Sequence, residues 1–401
     1  MVQSGSRVGG NHMRAFLRIM GLLVLALLVV GLWQRDTLTR LWAVNSLFAE
    51  DRIVQNFSNM DALFWTSTID RGDGPVAEMP TGPEMTLPEG TAQWIDARGV
   101  TSLLVLSDGQ IVHESYHLGT GPDDLRISWS VAKSFLSALT GILLEQGAID
   151  SIDDPVTKYA PELGGSAYDG VTVRHVLQMS SGVAFDEDYL DFWSDINKMG
   201  RVLALGGSMD GFAAGQQDRT GPAGEDWRYV SIDTHVLGMV LRGATGRRVA
   251  DLMADHLIGP LGLEASPKFV TDSFGTAFVL GGLNLTTRDY ARFGQMVMQD
   301  GQWQGQQIVP ADWLTDSTTA SAPTAEGAEQ YGYQWWMPRD AQEGEVYGRG
   351  VYGQYLYLDR AREVVIVVTA ADRAFREPGV HDSTIAMLRR ISQATAEGDN
   401  Q

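Results

Sequence analysis

Ser130 and Lys133 lie in the stretch SWSVAKSF (128–135), which runs on into LSALTGILLEQGAID. Residues three apart share one face of a helix and differ by about 4.5 Å in rise, so the lysine amine can reach the serine hydroxyl. A serine hydroxyl is a weak nucleophile until a base takes its proton. Lysine can be that base only when burial or a nearby cation keeps it neutral. A helix start adds partial positive charge and a Ser130 N–H suited to a developing oxyanion. The chain has four lysines against 26 arginines, so Lys133 is unusual within its own composition. The spacing alone is weak, because chance places about 0.25 such pairs in a chain with these counts. A capping serine and a lysine reaching out to water is the competing reading.

Two other stretches bear on the pair. WRYVSIDTHVLGMVL (227–241) offers Tyr229, a second oxygen that could relay a proton to a leaving group, or else an ordinary core tyrosine. YGRGVYGQYLYLD (347–359) reads as a strand with glycines at 348, 350 and 353. Glycine weakens a strand, so three together suggest close approach by substrate or backbone, with the Val351 N–H as a second oxyanion donor; a bulged edge strand is the alternative.

These residues need elements to hold them. TSLLVLSDGQIVHESYHLG (101–119) has the pattern of a β-hairpin, and 130–147 has helical spacing ending at Gly147. The middle third is helical in pattern: VTVRHVLQMSSGV (171–183), then an acidic aromatic loop FDEDYLDFWSD (185–195), then 235–263 as two helices broken at Gly243 and Gly246. Thr286 and Asp289 are spaced as a capping box opening the helix of 286–301. Strand character returns at 331–338, 352–359 and 363–372, before a closing helix near 382–395. Strands at both ends with helices between them predict an antiparallel sheet plus a helical lobe.

At 401 residues, with 44% hydrophobic and 20% charged, the chain has ample material for a globular core. A formal net charge of −20 without a basic stripe argues against nucleic acid. The absence of cysteine excludes disulfides and thiolate chemistry. AFLRIMGLLVLALLVVGLW (15–33) has the length a bilayer-spanning helix requires, and Arg7, His12 and Arg14 before it keep residues 1–14 on the cytoplasmic side. The apolar run ends in Trp33-Gln34-Arg35-Asp36 without a small-x-small cleavage pattern, favouring an uncleaved anchor over a signal peptide. Residues 34–95 read as a juxtamembrane segment and extended connector, rich in Pro, Gly and acids towards its end. The remainder is expected outside the cytoplasm, on the periplasmic side of a bacterial-type inner membrane, or secreted if the segment is cleaved.

Ser130-Val131-Ala132-Lys133, Tyr229-Val230-Ser231 and Gly348-Arg349-Gly350 come in the order and rough spacing of the three active-site elements of the serine β-lactamase and penicillin-binding-protein superfamily. The chain most resembles its class C-like serine hydrolases, typified by 6-aminohexanoate-dimer (nylon-oligomer) hydrolases. The likeness runs from about residue 50 to 395 and includes DSIDDPVTKYAPEL (150–163), GGLNLTTRDYARFG (281–294), YGYQWW (331–336) and GVYGQ (350–354). The resemblance implies an α/β (α+β) fold of the β-lactamase/transpeptidase-like type. An antiparallel sheet flanked by helices would occupy 96–395, with a helical lobe at roughly 136–275, behind the N-terminal transmembrane helix. It implies Ser130 as acylated nucleophile, Lys133 as general base, Tyr229 as proton donor to the leaving group, and the amides of Ser130 and Val351 as oxyanion hole. It also implies substrate contacts from Tyr189, Ser231, Gly350 and Trp335, with no cofactor or metal.

The departures are specific. The third element usually opens with Lys or His, then Thr or Ser; here Gly348 and Arg349 stand there, so the cation that grips a β-lactam carboxylate is missing or displaced. Ser231 replaces the usual Asn of the second element. Both favour a small ester or linear amide over a penicillin-type substrate. The acidic loop (Asp186, Glu187, Asp188, Asp191) could draw a substrate amine, or could simply be solvated. A D-amino-acid peptidase, a β-lactamase or a non-catalytic envelope-binding protein are the rival readings. A Ser-His-Asp hydrolase is disfavoured by the lack of G-x-S-x-G, and metal hydrolysis by the lack of HExxH. Oligomeric state is left open.

Overall fold

The segments TSLLVLS and QIVHESY form strands β1 (Val100–Ser107) and β2 (Gln110–Tyr116). Their turn, Asp108-Gly109, has φ of 48° and 73°, the left-handed pair that a tight hairpin matching the strand twist needs. Five later strands complete the sheet: β3 (Gln330–Tyr331), β4 (Trp336–Met337), β5 (Glu345–Gly350), β6 (Gln354–Asp359) and β7 (Val364–Ala370). The order is β2-β1-β7-β6-β5-β4-β3, antiparallel throughout. Chain ends far apart in sequence therefore meet at the β1–β7 pair. The principal helices are α1 (Val8–Trp33), α2 (Arg35–Ser46), α3 (Ala132–Glu145), α4 (Ser231–Thr245), α5 (Thr287–Met298) and α6 (Val380–Gly398). This computed structural model describes residues 8–398, so Arg7 and the rest of 1–7 in the expected cytoplasmic segment lie outside the described residues.

The central strands are buried on both faces, which is why they read as unbroken apolar runs. Leu104, Leu106, Val365 and Val367 belong to the core shared with Phe293 and Met296 of α5. Their neighbours Leu103, Val105, Ile366 and Val368 pack with Ile385, Leu388 and Ile391 of α6. The expected antiparallel sheet flanked by helices is what forms, with the helical lobe inserted between β2 and β3.

A second, four-stranded sheet of short segments sits at the seam between sheet and lobe, in the order Thr66–Thr68, Lys268–Val270, Leu283–Leu285, Arg126–Ile127. Its last strand immediately precedes Ser130, and Ser128 N–H donates to Leu283 O at 2.7 Å.

Three details differ from expectation. Residues 34–95 are not a free connector: α2 and the helix Ile53–Ser58 pack into the core, and Gly82 and Met85 donate backbone bonds to Ile111 and Val112 of β2. Gly243 does not break a helix but lies inside α4, where a Cβ would stand 1.8 Å from Tyr159 O; the break is at Gly246, in the left-handed region. The glycine-rich run 347–359 is a hairpin, β5 and β6, whose turn carries Tyr352 (φ 61°) and Gly353 (φ 88°).

Met13–Trp33 within α1 is 21 residues long with mean hydropathy 2.6, and its side chains stay outside the core. It is long and apolar enough to span a membrane or act as a signal sequence.

Candidate active site

Ser130 lies in a 3₁₀ turn, Trp129–Val131, that leads into α3. The turn is strained: Trp129 has φ of 42°, uncommon for a bulky residue. Its indole is held by Phe48 and Phe57 at ring separations of 5.7 and 5.4 Å. Lys133, one turn on, is 1% exposed. Its Nζ donates to Ser130 Oγ at 3.1 Å and to Leu280 O at 2.6 Å. Burial pushes the ammonium down to about 7, with the charge of Glu187 pulling the other way. A buried amine that loses its proton near neutrality, bonded to a serine hydroxyl, can take that serine's proton.

Tyr229 precedes the start of α4 and packs against Trp336 at 5.1 Å between rings. Lys133 Nζ is 5.4 Å from its ring centroid. Burial, then the charge of Glu187, hold its phenol well above the usual tyrosine range, while a hydrogen bond with Ser130 and the charge of Arg349 work against them. Tyr229 therefore carries its proton through the neutral range and is poised as a donor.

Glu187 was expected as one charge of an acidic loop that either draws a substrate amine or is simply solvated. Instead it is turned inward, accepting the backbone N–H of Ser231 at 2.5 Å. Burial raises its pKa, and the Ser231 hydroxyl and the Lys133 charge lower it. Lys133 and Glu187 thus titrate as an interacting pair rather than independently. The signal missed in FDEDY was that alternate members of a short acidic run can point opposite ways. Asp188, one residue on, faces out to Arg376 at 2.7 Å.

A cavity of about 450 Å³ opens over these groups, lined by Ser130, Tyr189, Tyr229, Trp336, Arg349 and Val351 among others. Ser130, Tyr189, Tyr229, Gly350 and Val351 therefore come together as expected, with Lys133 beneath them. Two expected contacts do not. Trp335 is 1% exposed and stacks on Phe293 within the core, ring planes 8° apart; strand alternation sends its neighbour Trp336 to the cavity instead. Ser231 is fully buried behind the cavity, where its N–H fixes Glu187.

Gly350 borders the cavity and also answers to backbone approach. A Cβ on Gly350 would stand 2.5 Å from Ser128 O, so β5 can lie against the Ser130 turn only with glycine there. Gly348 has more room, its Cβ position standing 3.2 Å from the Ser134 hydroxyl and 3.4 Å from a Val131 methyl. Arg349 supplies a cation at the cavity wall, over the Trp336 ring at 4.6 Å and 3.5 Å from Glu329. Arg349 thus places a cation one position after Gly348, where the third element usually opens with Lys or His.

An antiparallel sheet with an inserted helical lobe, and a Ser-x-x-Lys turn at the seam, is the architecture of β-lactamase/transpeptidase-like proteins. The chain belongs to the Beta-lactamase family, whose model matches residues 92–388. It is 31% identical over 330 residues to 6-aminohexanoate-dimer hydrolase of Paenarthrobacter ureafaciens, covering 78% of this chain and 83% of that one. Among solved structures, a Bacillus anthracis protein provisionally described as a 6-aminohexanoate-dimer hydrolase superposes with a TM-score of 0.78 at 22% identity, covering 88% of this chain and 96% of its own. A D-stereospecific amidohydrolase from a Streptomyces species superposes with a TM-score of 0.57 at 20% identity, covering 74% and 98% respectively. This is a β-lactamase-fold hydrolase related to 6-aminohexanoate-dimer hydrolase.

Proposed function

We propose that this protein is a serine hydrolase that opens esters or linear amides through an acyl-enzyme on Ser130. The observation that carries the reading is the Lys133 amine, buried, pushed down to about 7 and bonded to Ser130 Oγ at 3.1 Å. Neutral Lys133 takes the Ser130 proton as Oγ bonds to the carbonyl carbon, and the amides of Ser130 and Val351 receive the oxyanion. On collapse the C–O or C–N bond breaks. Tyr229 gives its proton to the leaving group and regains one from the Lys133 ammonium. A water then bonds to the acyl carbon, its proton passing through Tyr229 and Lys133 to Ser130 Oγ as the bond from Oγ to the acyl carbon breaks and the acid leaves. Arg349, already engaged by Glu329 and Trp336, is a poorer carboxylate grip than a free lysine, which favours esters and linear amides over β-lactams.

The same reading places the domain outside the cytoplasm, tethered by the apolar helix. Its support is the uncleaved look of the sequence after Trp33 and the continuation of that helix into the packed α2.

Intact-mass spectrometry after a small fluorophosphonate is expected to show one adduct, on Ser130, and p-nitrophenyl butyrate to give a burst that Ser130→Ala abolishes. No adduct and no burst sink the catalytic reading in favour of a binding protein. Nitrocefin turnover matching ester turnover would overturn the preference against β-lactams.

A further inference from the structure

Ser130 borders a second cavity, distinct in chemistry from the first. It measures about 280 Å³ and its wall is apolar: Val44, Leu47, Phe48, Phe64, Phe278 and Leu280. Ser130, Tyr189 and Val351 line both cavities, whereas Tyr229 and Arg349 line only the polar one. The proposed proton donor, Tyr229, therefore borders the polar cavity and not the apolar one, while Ser130 borders both. Apolar space of this size beside a reactive serine is suited to a hydrocarbon chain rather than to water, which needs polar partners to stay.

The wall is built in part by α2, which precedes the region the family model matches. Gln34 N–H donates to Val30 O and Leu38 N–H to Gln34 O, so hydrogen bonds continue from α1 into α2 across a single non-helical residue, Gln34 (φ −94°, ψ 8°). About 16 Å of helix separates Trp33, where the apolar helix ends, from Val44 at the cavity. At the rim Leu190 is 77% exposed and Phe192 51%. Adjacent Trp193 is 70% exposed. On the other flank of α2, Arg40 stacks over Trp65 at 3.6 Å and binds Ala204 O, fixing α2 against the helix Asp195–Leu205 that carries the wall residue Gly200.

We propose that the apolar cavity is an acyl-chain subsite, making the substrate an ester or amide of a medium-length fatty acyl chain. The chain lies against α2 and the polar half lies in the arginine-walled cavity beside Tyr229. This rests on the acyl-enzyme reading above. The chemistry is unchanged: Ser130 Oγ bonds to the fatty acyl carbon, the bond to the polar alcohol or amine breaks, Tyr229 protonates that group, and water releases the fatty acid.

The test uses the full-length chain in lipid nanodiscs, with p-nitrophenyl acetate, butyrate and octanoate below their micellar limits. For the native chain, kcat/KM is expected to be at least about tenfold higher for octanoate than for acetate, because each added methylene leaves water on binding. Gly200→Phe adds a ring at a position whose Cβ meets nothing within 4 Å. It is expected to cut the octanoate-to-acetate ratio by about tenfold. In the unsubstituted chain, octylboronic acid is expected to inhibit acetate hydrolysis at concentrations about tenfold below those of methylboronic acid. Equal kcat/KM across the ester series, or equal inhibition by the two boronic acids, overturns the acyl-chain subsite while leaving the acyl-enzyme intact. No Ser130 adduct from a small fluorophosphonate, and no ester turned over, overturns the acyl-enzyme reading itself.

Discussion

At the scale of single residues the site turns on where one proton resides. Free lysine titrates near 10.4, and burial brings Lys133 to about 7. The acid limb of kcat/KM for ester hydrolysis is therefore expected to rise through about pH 7 as Lys133 loses its proton. Glu187 opposes that loss, so Glu187→Gln should move the acid limb to lower pH; an unmoved limb would separate Glu187 from the base. Stability moves in the same direction with pH, over a higher window. Between pH 7 and about 10.4 the unfolded chain holds a proton at Lys133 that the folded chain does not, so this residue's contribution to stability improves as pH rises through that window. Its cost is largest below pH 7 and gone above about 10.4. Lys133→Met is accordingly expected to abolish acylation and raise Tm most at pH 6–7, with the gain shrinking towards pH 10. A gain that stays constant with pH would mean Lys133 is not kept neutral by burial.

At the scale of elements, function depends on the contact between β5 and the Trp129–Val131 turn. Gly350→Ala places a methyl 2.5 Å from Ser128 O, a backbone atom that cannot swing aside. The turn must move, at about 1–3 kcal/mol of stability and with about a hundredfold loss of kcat, since small displacements of a nucleophile are expensive. Gly348→Ala is the control: its nearest neighbour is Ser134 Oγ at 3.2 Å, a hydroxyl that can rotate away, so the loss should be much smaller. Ester kinetics and chemical denaturation of both variants separate the two cases. Leu280 shows the same dependence on elements. Its carbonyl reaches Lys133 because Leu283–Leu285 pairs with Arg126–Ile127, so an ordinary leucine in GTAFVLGGLNL becomes a partner of the base.

At the scale of the whole molecule, the N-terminal segment divides into a part that packs and a part that does not. Side chains of α1 from Met13 onward stay outside the core, so removing residues 1–33 is expected to yield a soluble protein of unchanged Tm. Removing residues 1–64 is different. Arg126 is fully buried and donates to Val54 O at 2.7 Å and Ser58 Oγ at 2.8 Å. Burial depresses its pKa to about 10 even with these partners, and losing them strands a buried guanidinium, costing about 3–5 kcal/mol. Thermal denaturation of the two truncations distinguishes them; equal Tm values would mean that the 34–64 segment is dispensable.

The order of the three active-site elements was legible only through the family resemblance, whereas the hairpin expected at 101–119, the Ser-x-x-Lys turn and the closing strands could be read directly. Each is written in local spacing: alternation, an Asp-Gly turn, a residue pair one helical turn apart. Tertiary structure alone decided which side chains face the site. Trp335 and Trp336 are equally aromatic in sequence, and only the packing at the start of β4 sends one onto Phe293 in the core and the other to the cavity. Glu187 and Asp188 are equally acidic, and only the packing of their loop buries one beside Lys133 and leaves the other with Arg376. The expected 34–95 connector became part of the fold because its apolar residues find partners more than 60 positions away, Arg126 and Trp129 among them. A buried amine and an apolar wall beside the nucleophile depend on such distant contacts, and local sequence pattern cannot encode them.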